Sequence, residues 1–168
     1  EMGANISFSN QREVDGEIVA DINAKSSELS GIIVPKSRAP SMIDEYPILA
    51  IAAIKAKGDT IMEGIEELRY KETDRIKAMD DGLSSIGIKT KSTKDSLTIH
   101  GKGQKSLISG GIEIDSRLDH RIAMSFLCLG LITEKPVIVN DTDTINSSFP
   151  IFFDQMNKIG AKLMYLKN

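Results

Sequence analysis

Five consecutive polar residues, Lys71-Glu72-Thr73-Asp74-Arg75, stand where an apolar strand pattern gives way to an amphipathic helix pattern. Ile76, Met79, Leu83 and Ile86 follow at helical spacing and mark one buried face, so the charges fall on the first turn. Thr73 is expected as the N-cap, with Asp74 in the first turn, where the helix dipole favours an anion. Lys71 and Arg75 lie four apart and are expected on nearly the same side, with Glu72 beside them. Two cations, a carboxylate and a run of backbone N–H groups suit an anionic ligand with a proton donor or acceptor alongside. The same spacing also describes a solvated, salt-bridged helix start.

Ionisable groups gather at two further predicted helix starts, Asp44-Glu45 and Asp119-His120-Arg121. If like units stack, equivalent helix ends lie on one side, and Asp44, Glu72, Arg75 and Arg121 face one cleft. Two arginines there would clamp a carboxylate or phosphate, with charge-assisted bonds worth roughly 1.5–3 kcal/mol each. Two carboxylates would offer a base and an acid. Each residue also has a plainer reading. Asp44 and Asp119 serve equally well as helix caps, and His120 as a packed side chain. His100 ends a predicted strand without an evident partner, and Lys36 and Arg38 read as a solvated loop. Gly101-Lys102-Gly103 matches no phosphate-loop spacing, and no set of His, Cys and carboxylates has metal-ligand spacing.

The elements that must position these groups follow from periodicity. Strands are expected at residues 6–8, 17–21 and 32–34, then a helix from about Pro47 to Gly58 whose stretch Ile48–Ile54 is apolar nearly all round and so buried. A strand around Ile61, the amphipathic helix, and strands at 88–91 and 96–100 come next. The order repeats after a polar loop: strand 111–115, helix 122–132, strand 137–140. A helix opened by Ser147-Ser148-Phe149-Pro150, with Phe149, Phe152, Phe153, Met156 and Ile159 on one face, and a strand at 162–166 complete it. The pattern of an apolar residue, a glycine and a strand start occurs around Gly3, Gly87 and Gly160 and marks a repeated unit. The chain is therefore expected to be one α/β domain, residues 1–168, built of repeats: about 1–9 as the tail of one unit, 10–103, and 104–168. A unit represented only by its tail should leave a helix-sized gap in the core.

Lys and Arg number 21 against 24 Asp and Glu, a net charge of -3, which argues against a nucleic-acid partner and makes any anion site local. The single cysteine, Cys128, sits in an apolar run as an inert thiol and excludes an internal disulfide, consistent with a cytoplasmic setting. The apolar stretches 47–54 and 122–132 are too short or interrupted for a membrane span.

Four ordered motifs carry a resemblance: Asp44-Glu45-Tyr46-Pro47, Leu68 to Arg75, Asp119-His120-Arg121-Ile122-Ala123-Met124, and Ser148-Phe149-Pro150. Together they resemble the C-terminal part of the 5-enolpyruvylshikimate-3-phosphate synthase (3-phosphoshikimate 1-carboxyvinyltransferase) family. The resemblance implies an enolpyruvyl transferase inside-out α/β barrel of βαβαββ units, of which this chain supplies two and the tail of a third. It implies a transferase of the shikimate pathway (chorismate and aromatic amino-acid biosynthesis) that moves the carboxyvinyl group of phosphoenolpyruvate to the 5-hydroxyl of shikimate 3-phosphate, without a cofactor. By matching residue, Asp44 resembles the base that also holds the shikimate hydroxyls, and Glu72 the acid that protonates the vinyl carbon. Lys71 would contact shikimate 3-phosphate, Arg75 and Arg121 would grip phosphoenolpyruvate, and Asp119 and His120 would support Arg121. Ser147 stands where many members carry a lysine, and the family's N-terminal domain, the expected partner of this half-cleft, has no counterpart here. The chain by itself is then expected to be inactive. Two alternatives are a non-catalytic piece binding phosphoenolpyruvate-like anions and a relative acting on UDP-N-acetylglucosamine.

Overall fold

In a computed structural model that describes residues 1–166, the chain opens with a hairpin of two antiparallel strands, β1 (Asn5–Val14) and β2 (Glu17–Lys25). Among the described residues both strands pair only with each other, and Phe8, Ile18 and Ile22 are exposed. Two short strands follow, β3 (Leu29–Ser30) and β4 (Ile33–Val34), then a single helical turn, α1 (Ala39–Met42), and the apolar helix α2 (Tyr46–Ile54). Pro47 occupies the first turn of α2, where its missing N–H costs nothing.

Strand β5 (Ala56–Glu63) is the spine of the main sheet. Both β3 and β4 run parallel to one edge of it, and β7 (Ser96–Lys102) runs antiparallel along the other, with β6 (Thr90–Ser92) beyond. Between β5 and β6 lie a 3-10 turn (Glu66–Tyr70) and helix α3 (Arg75–Ser85). The second half gives β8 (Ile112–Asp115), α4 (His120–Leu129) and β9 (Val137–Asn140), with β8 and β9 parallel and joined through α4. The short helices α5 (Ile145–Ser148) and α6 (Phe152–Lys158) close the described chain. The core forms where α2, α3 and α4 meet the main sheet: Ile54, Ile76, Met79, Leu83, Ile99, Ile122 and Phe126 are all buried.

Several expectations are corrected. The helix expected to reach Gly58 ends at Ile54, because from Lys57 onward the backbone pairs residue by residue with β7 and can no longer serve a helix. Strand β6 begins at Thr90 rather than Ile88, since the Ile88 N–H turns back to the Leu83 carbonyl and its side chain enters the core. The helix expected to open at Ser147 is two pieces. Pro150 forces Phe149 out of helical geometry (φ -142°, ψ 73°), so Phe152 alone of the five apolar residues is fully buried, and Ile159 is exposed. Residues 162–166 form no strand. Gly3, Gly87 and Gly160 all adopt left-handed φ (88°, 76° and 101°), which gives the sequence repeat a common backbone cause.

Gly82, in the middle of α3, has a different reason to be glycine. A Cβ there would lie 2.2 Å from Cζ of Phe126, whose ring is fully buried in α4 and has nowhere to move. Gly82→Ala gains about 1 kcal/mol of helix propensity and incurs about 1–3 kcal/mol of overpacking. The expected balance is destabilisation, read as a lower denaturant midpoint at unchanged slope; a stabilised variant would show that α3 and α4 can separate freely.

Candidate active site

Arg75, the first residue of α3, is buried to 2% exposure and meets a carboxylate at each of its three nitrogens. Its Nε donates to Oδ2 of Asp119 (2.8 Å), Nη1 to Oδ1 of Asp44 (2.8 Å) and Nη2 to Oε2 of Glu72 (2.7 Å). These partners come from the starts of three helices, α2, α3 and α4. Burial on its own would weaken the charge of Arg75, but the hydrogen bonds to Asp119 and Asp44 and the nearby Glu72 charge outweigh it and fix the guanidinium as a cation.

Asp119 is the anchor. It is fully buried at the N-cap of α4, where Oδ1 accepts from the N–H of Arg121 (2.8 Å) and of Ile122 (3.2 Å) while Oδ2 holds Arg75. One carboxylate thus caps α4 and ties it to α3. The cap reading of Asp119 holds, and its bond to Arg75 adds it to the cluster.

Asp44, in the turn before α2, lies between two cations. Besides Arg75, it has Arg121 Nη2 at 3.8 Å from Oδ2, and its backbone carbonyl accepts from Arg121 Nη1 at 3.2 Å. Burial pushes the Asp44 carboxyl upward, yet the Arg75 hydrogen bond, followed by the charges of Arg121, Arg75 and Lys71, holds it below the usual carboxylate range. Asp44 is therefore no N-cap: Glu45 occupies that position and makes no side-chain cap, reaching Arg121 Nη1 instead at 3.3 Å.

Two details of the central motif differ from expectation. The N-cap of α3 is Asp74, not Thr73: its Oδ1 accepts from the Lys77 N–H (2.9 Å) while Oδ2 pairs with Arg69 (2.6 Å), and an ionised acceptor outcompetes a hydroxyl. Because α3 starts only at Arg75, Lys71 is not on its face. Lys71 stands in extended geometry after the 3-10 turn, with Nζ 3.1 Å from Glu67. His120 is half-buried in the first turn of α4, and Ser147 is exposed in α5, its hydroxyl donating to the Thr144 carbonyl.

Elsewhere, His100 does have a partner, Asp59, directly across the β5–β7 ladder at 2.9 Å, a pairing invisible at a separation of 41 residues. Arg38 pairs with Glu1. An open, mainly apolar concavity beside β4 and α2 is lined by Met2, Ile32, Val34, Met42 and Leu49, with the paired Glu1 and Arg38 at its edge. Cys128 is mostly buried in α4, and that burial raises its thiol pKa, as suits an inert side chain. No helix among the described residues is long and apolar enough to cross a membrane.

Sequence reasoning placed Glu45 at a helix start but not its contact with Arg121, and it missed the pairings of Glu67 and Arg69 and the bond from Asp119 to Arg75. Only the Glu67–Lys71 pair carries a local signal, its spacing of four.

Comparison with known proteins gives one consistent result. The model of the EPSP synthase (3-phosphoshikimate 1-carboxyvinyltransferase) family matches residues 1–156. A 3-phosphoshikimate 1-carboxyvinyltransferase of Cereibacter sphaeroides is 52% identical over 163 residues, covering 97% of this chain and 36% of the relative, and one of Chelativorans sp. matches to the same extent. A solved EPSP synthase from Acinetobacter baumannii superposes with a TM-score of 0.90 at 45% identity, over 95% of this chain and 37% of that one. The chain thus spans about a third of the length of the relatives it matches.

Proposed function

The chain belongs to the EPSP synthase family, and from that premise we propose that it supplies one wall of an active site that transfers the carboxyvinyl group of phosphoenolpyruvate to the 5-hydroxyl of shikimate 3-phosphate. The observation that carries this reading is the convergence of Asp44, Glu72, Arg75, Asp119 and Arg121 from three helix starts onto one cluster. All five lie in the motifs that carry the resemblance, and the cluster combines what the reaction needs. Asp44 is the base for the attacking hydroxyl and Glu72 the acid for the methylene carbon. Arg75 and Arg121 bind phosphoenolpyruvate, and Lys71 binds the phosphate of shikimate 3-phosphate.

Asp119 and His120 set the turn that presents Arg121, with Asp119 doing so through its bond to the Arg121 N–H. The remaining ligands and the opposite wall would come from the two-thirds of the relatives' length that this chain does not cover. A left-handed glycine followed by an antiparallel strand pair, at Gly3 with β1–β2 and at Gly87 with β6–β7, supports a repeated βαβαββ organisation within one domain.

The test is phosphate release from phosphoenolpyruvate with shikimate 3-phosphate present, measured with the chain alone and then mixed with a separately produced protein that supplies the remaining two-thirds. Turnover only in the mixture is expected, because half of the anion ligands and the closure that excludes water are absent from the chain alone. No turnover in a mixture that forms a complex would assign the chain a non-catalytic, anion-binding role.

A further inference from the structure

We propose that Asp44 and Glu72 occupy, in the unliganded protein, the guanidinium N–H positions of Arg75 that an anionic substrate group takes, so that a carboxylate or phosphate binds by displacing them and thereby releases them for proton transfer. The proposal rests on the reading of Arg75 and Arg121 as anion ligands given above, and adds how that site is kept and opened.

The first support is that Arg75 has no vacant nitrogen. It is 2% exposed, and Nε, Nη1 and Nη2 each donate to a different carboxylate at 2.7–2.8 Å. Three of its five N–H groups are taken, and at this burial an incoming anion reaches the guanidinium only where a neighbouring side chain withdraws.

The second is that the three carboxylates are not equally fixed. Asp119 is 0% exposed and also bonded to the N–H groups of Arg121 and Ile122, so it cannot leave. Asp44 and Glu72 are 41% and 48% exposed, and among the described residues the Glu72 side chain has Arg75 as its one hydrogen-bond partner. Both can swing into water at the cost of their bond to Arg75, which the incoming anion replaces. The exchangeable pair is the same pair to which proton transfer is assigned.

The third is charge. Four carboxylates, Asp44, Glu45, Glu72 and Asp119, surround the guanidinium groups of Arg75 and Arg121, with Lys71 near Asp44 but already paired with Glu67. An incoming polyanion is repelled from this assembly unless a carboxylate withdraws. Withdrawal has a chemical consequence. The Arg75 hydrogen bond is the strongest of the interactions that keep the Asp44 carboxyl low, so its loss makes Asp44 a better proton acceptor when the anion arrives.

Calorimetric titration of the chain with phosphoenolpyruvate, in wild type, Glu72→Gln and Glu72→Asp, tests the displacement. Glu72→Gln removes the competing charge, and Glu72→Asp keeps the charge but is a methylene too short to reach Nη2. Displacement predicts tighter binding in both, about tenfold for Gln, the scale of one charge-assisted hydrogen bond, and several-fold for Asp. A gain in Gln alone would reduce the effect to the local electric field and overturn the proposal. Wild-type binding that neither substitution tightens would overturn it too, leaving the anion assignment intact. No binding by any of the three at millimolar ligand would overturn the displacement in this chain, and no binding by the mixture with the protein that supplies the remaining two-thirds would remove the anion assignment as well.

Discussion

Glu72→Gln, in an enzyme assembled from this chain and the part its relatives add, is expected to lower kcat by about 10²- to 10⁴-fold, and Asp44→Asn by the same order. The magnitude follows from the proposed roles. A positioned acid or base acts in the transition state, so its loss appears in turnover and not as weakened substrate binding. Both amides are nearly isosteric with the carboxylates they replace and can still accept from Arg75, though more weakly, so the cluster survives while proton transfer is lost.

The two variants should differ from a damaged fold in a readable way. If Glu72 also competes for Arg75, KM for phosphoenolpyruvate falls while kcat falls, a pairing that unfolding cannot produce. Steady-state phosphate release over a range of phosphoenolpyruvate concentrations checks both quantities. Turnover within a few-fold of wild type in either variant would remove that residue from the acid–base assignment.

The parts of this site that were legible in the sequence are those encoded locally. Charged residues before apolar or amphipathic helix patterns placed Asp44, Glu72, Arg75, Asp119 and Arg121 at helix starts, and the repeat order placed those starts on one side; the contacts among them follow that arrangement. Their pairing was not legible, because it depends on contacts 31, 44 and 77 residues apart. The same limit explains the pairing of Asp59 with His100 and the seating of Gly82 on Phe126. Errors in the fold have one origin as well. Around Gly58 and Ile88 the local pattern was overridden by the partner to which the backbone hydrogen bonds went, β7 in the first case and the end of α3 in the second. The break at Phe149 was the exception, since Pro150 announces it in the sequence.

Asp119 carries the largest expected effect on stability. Asp119→Ala strips Arg75 Nε of its buried acceptor and uncaps α4 in one change, and removal of one partner of a buried ion pair costs about 3–5 kcal/mol. Asp119→Asn should fall between Ala and wild type, because a single amide oxygen can cap the helix or accept from Arg75 but cannot do both as well as a carboxylate. Arg75→Met should be nearly as damaging as Asp119→Ala, since it leaves Asp119 ionised and buried with only the two N–H groups of α4. The double variant Arg75→Met, Asp119→Leu separates stability from function. Apolar replacement of a buried ion pair is often neutral or stabilising, so the double variant should recover most of what either single change loses, less about 1 kcal/mol for the missing cap. Denaturant midpoints of wild type, Arg75→Met, Asp119→Leu and the double variant close this double-mutant cycle. A large favourable coupling in the cycle, together with loss of phosphoenolpyruvate binding in the recovered double variant, would mean that the ion pair is retained for the anion site and not for the fold. Additive losses would mean instead that Arg75 and Asp119 stabilise the protein independently, and that the pairing of α3 with α4 through this bond is incidental.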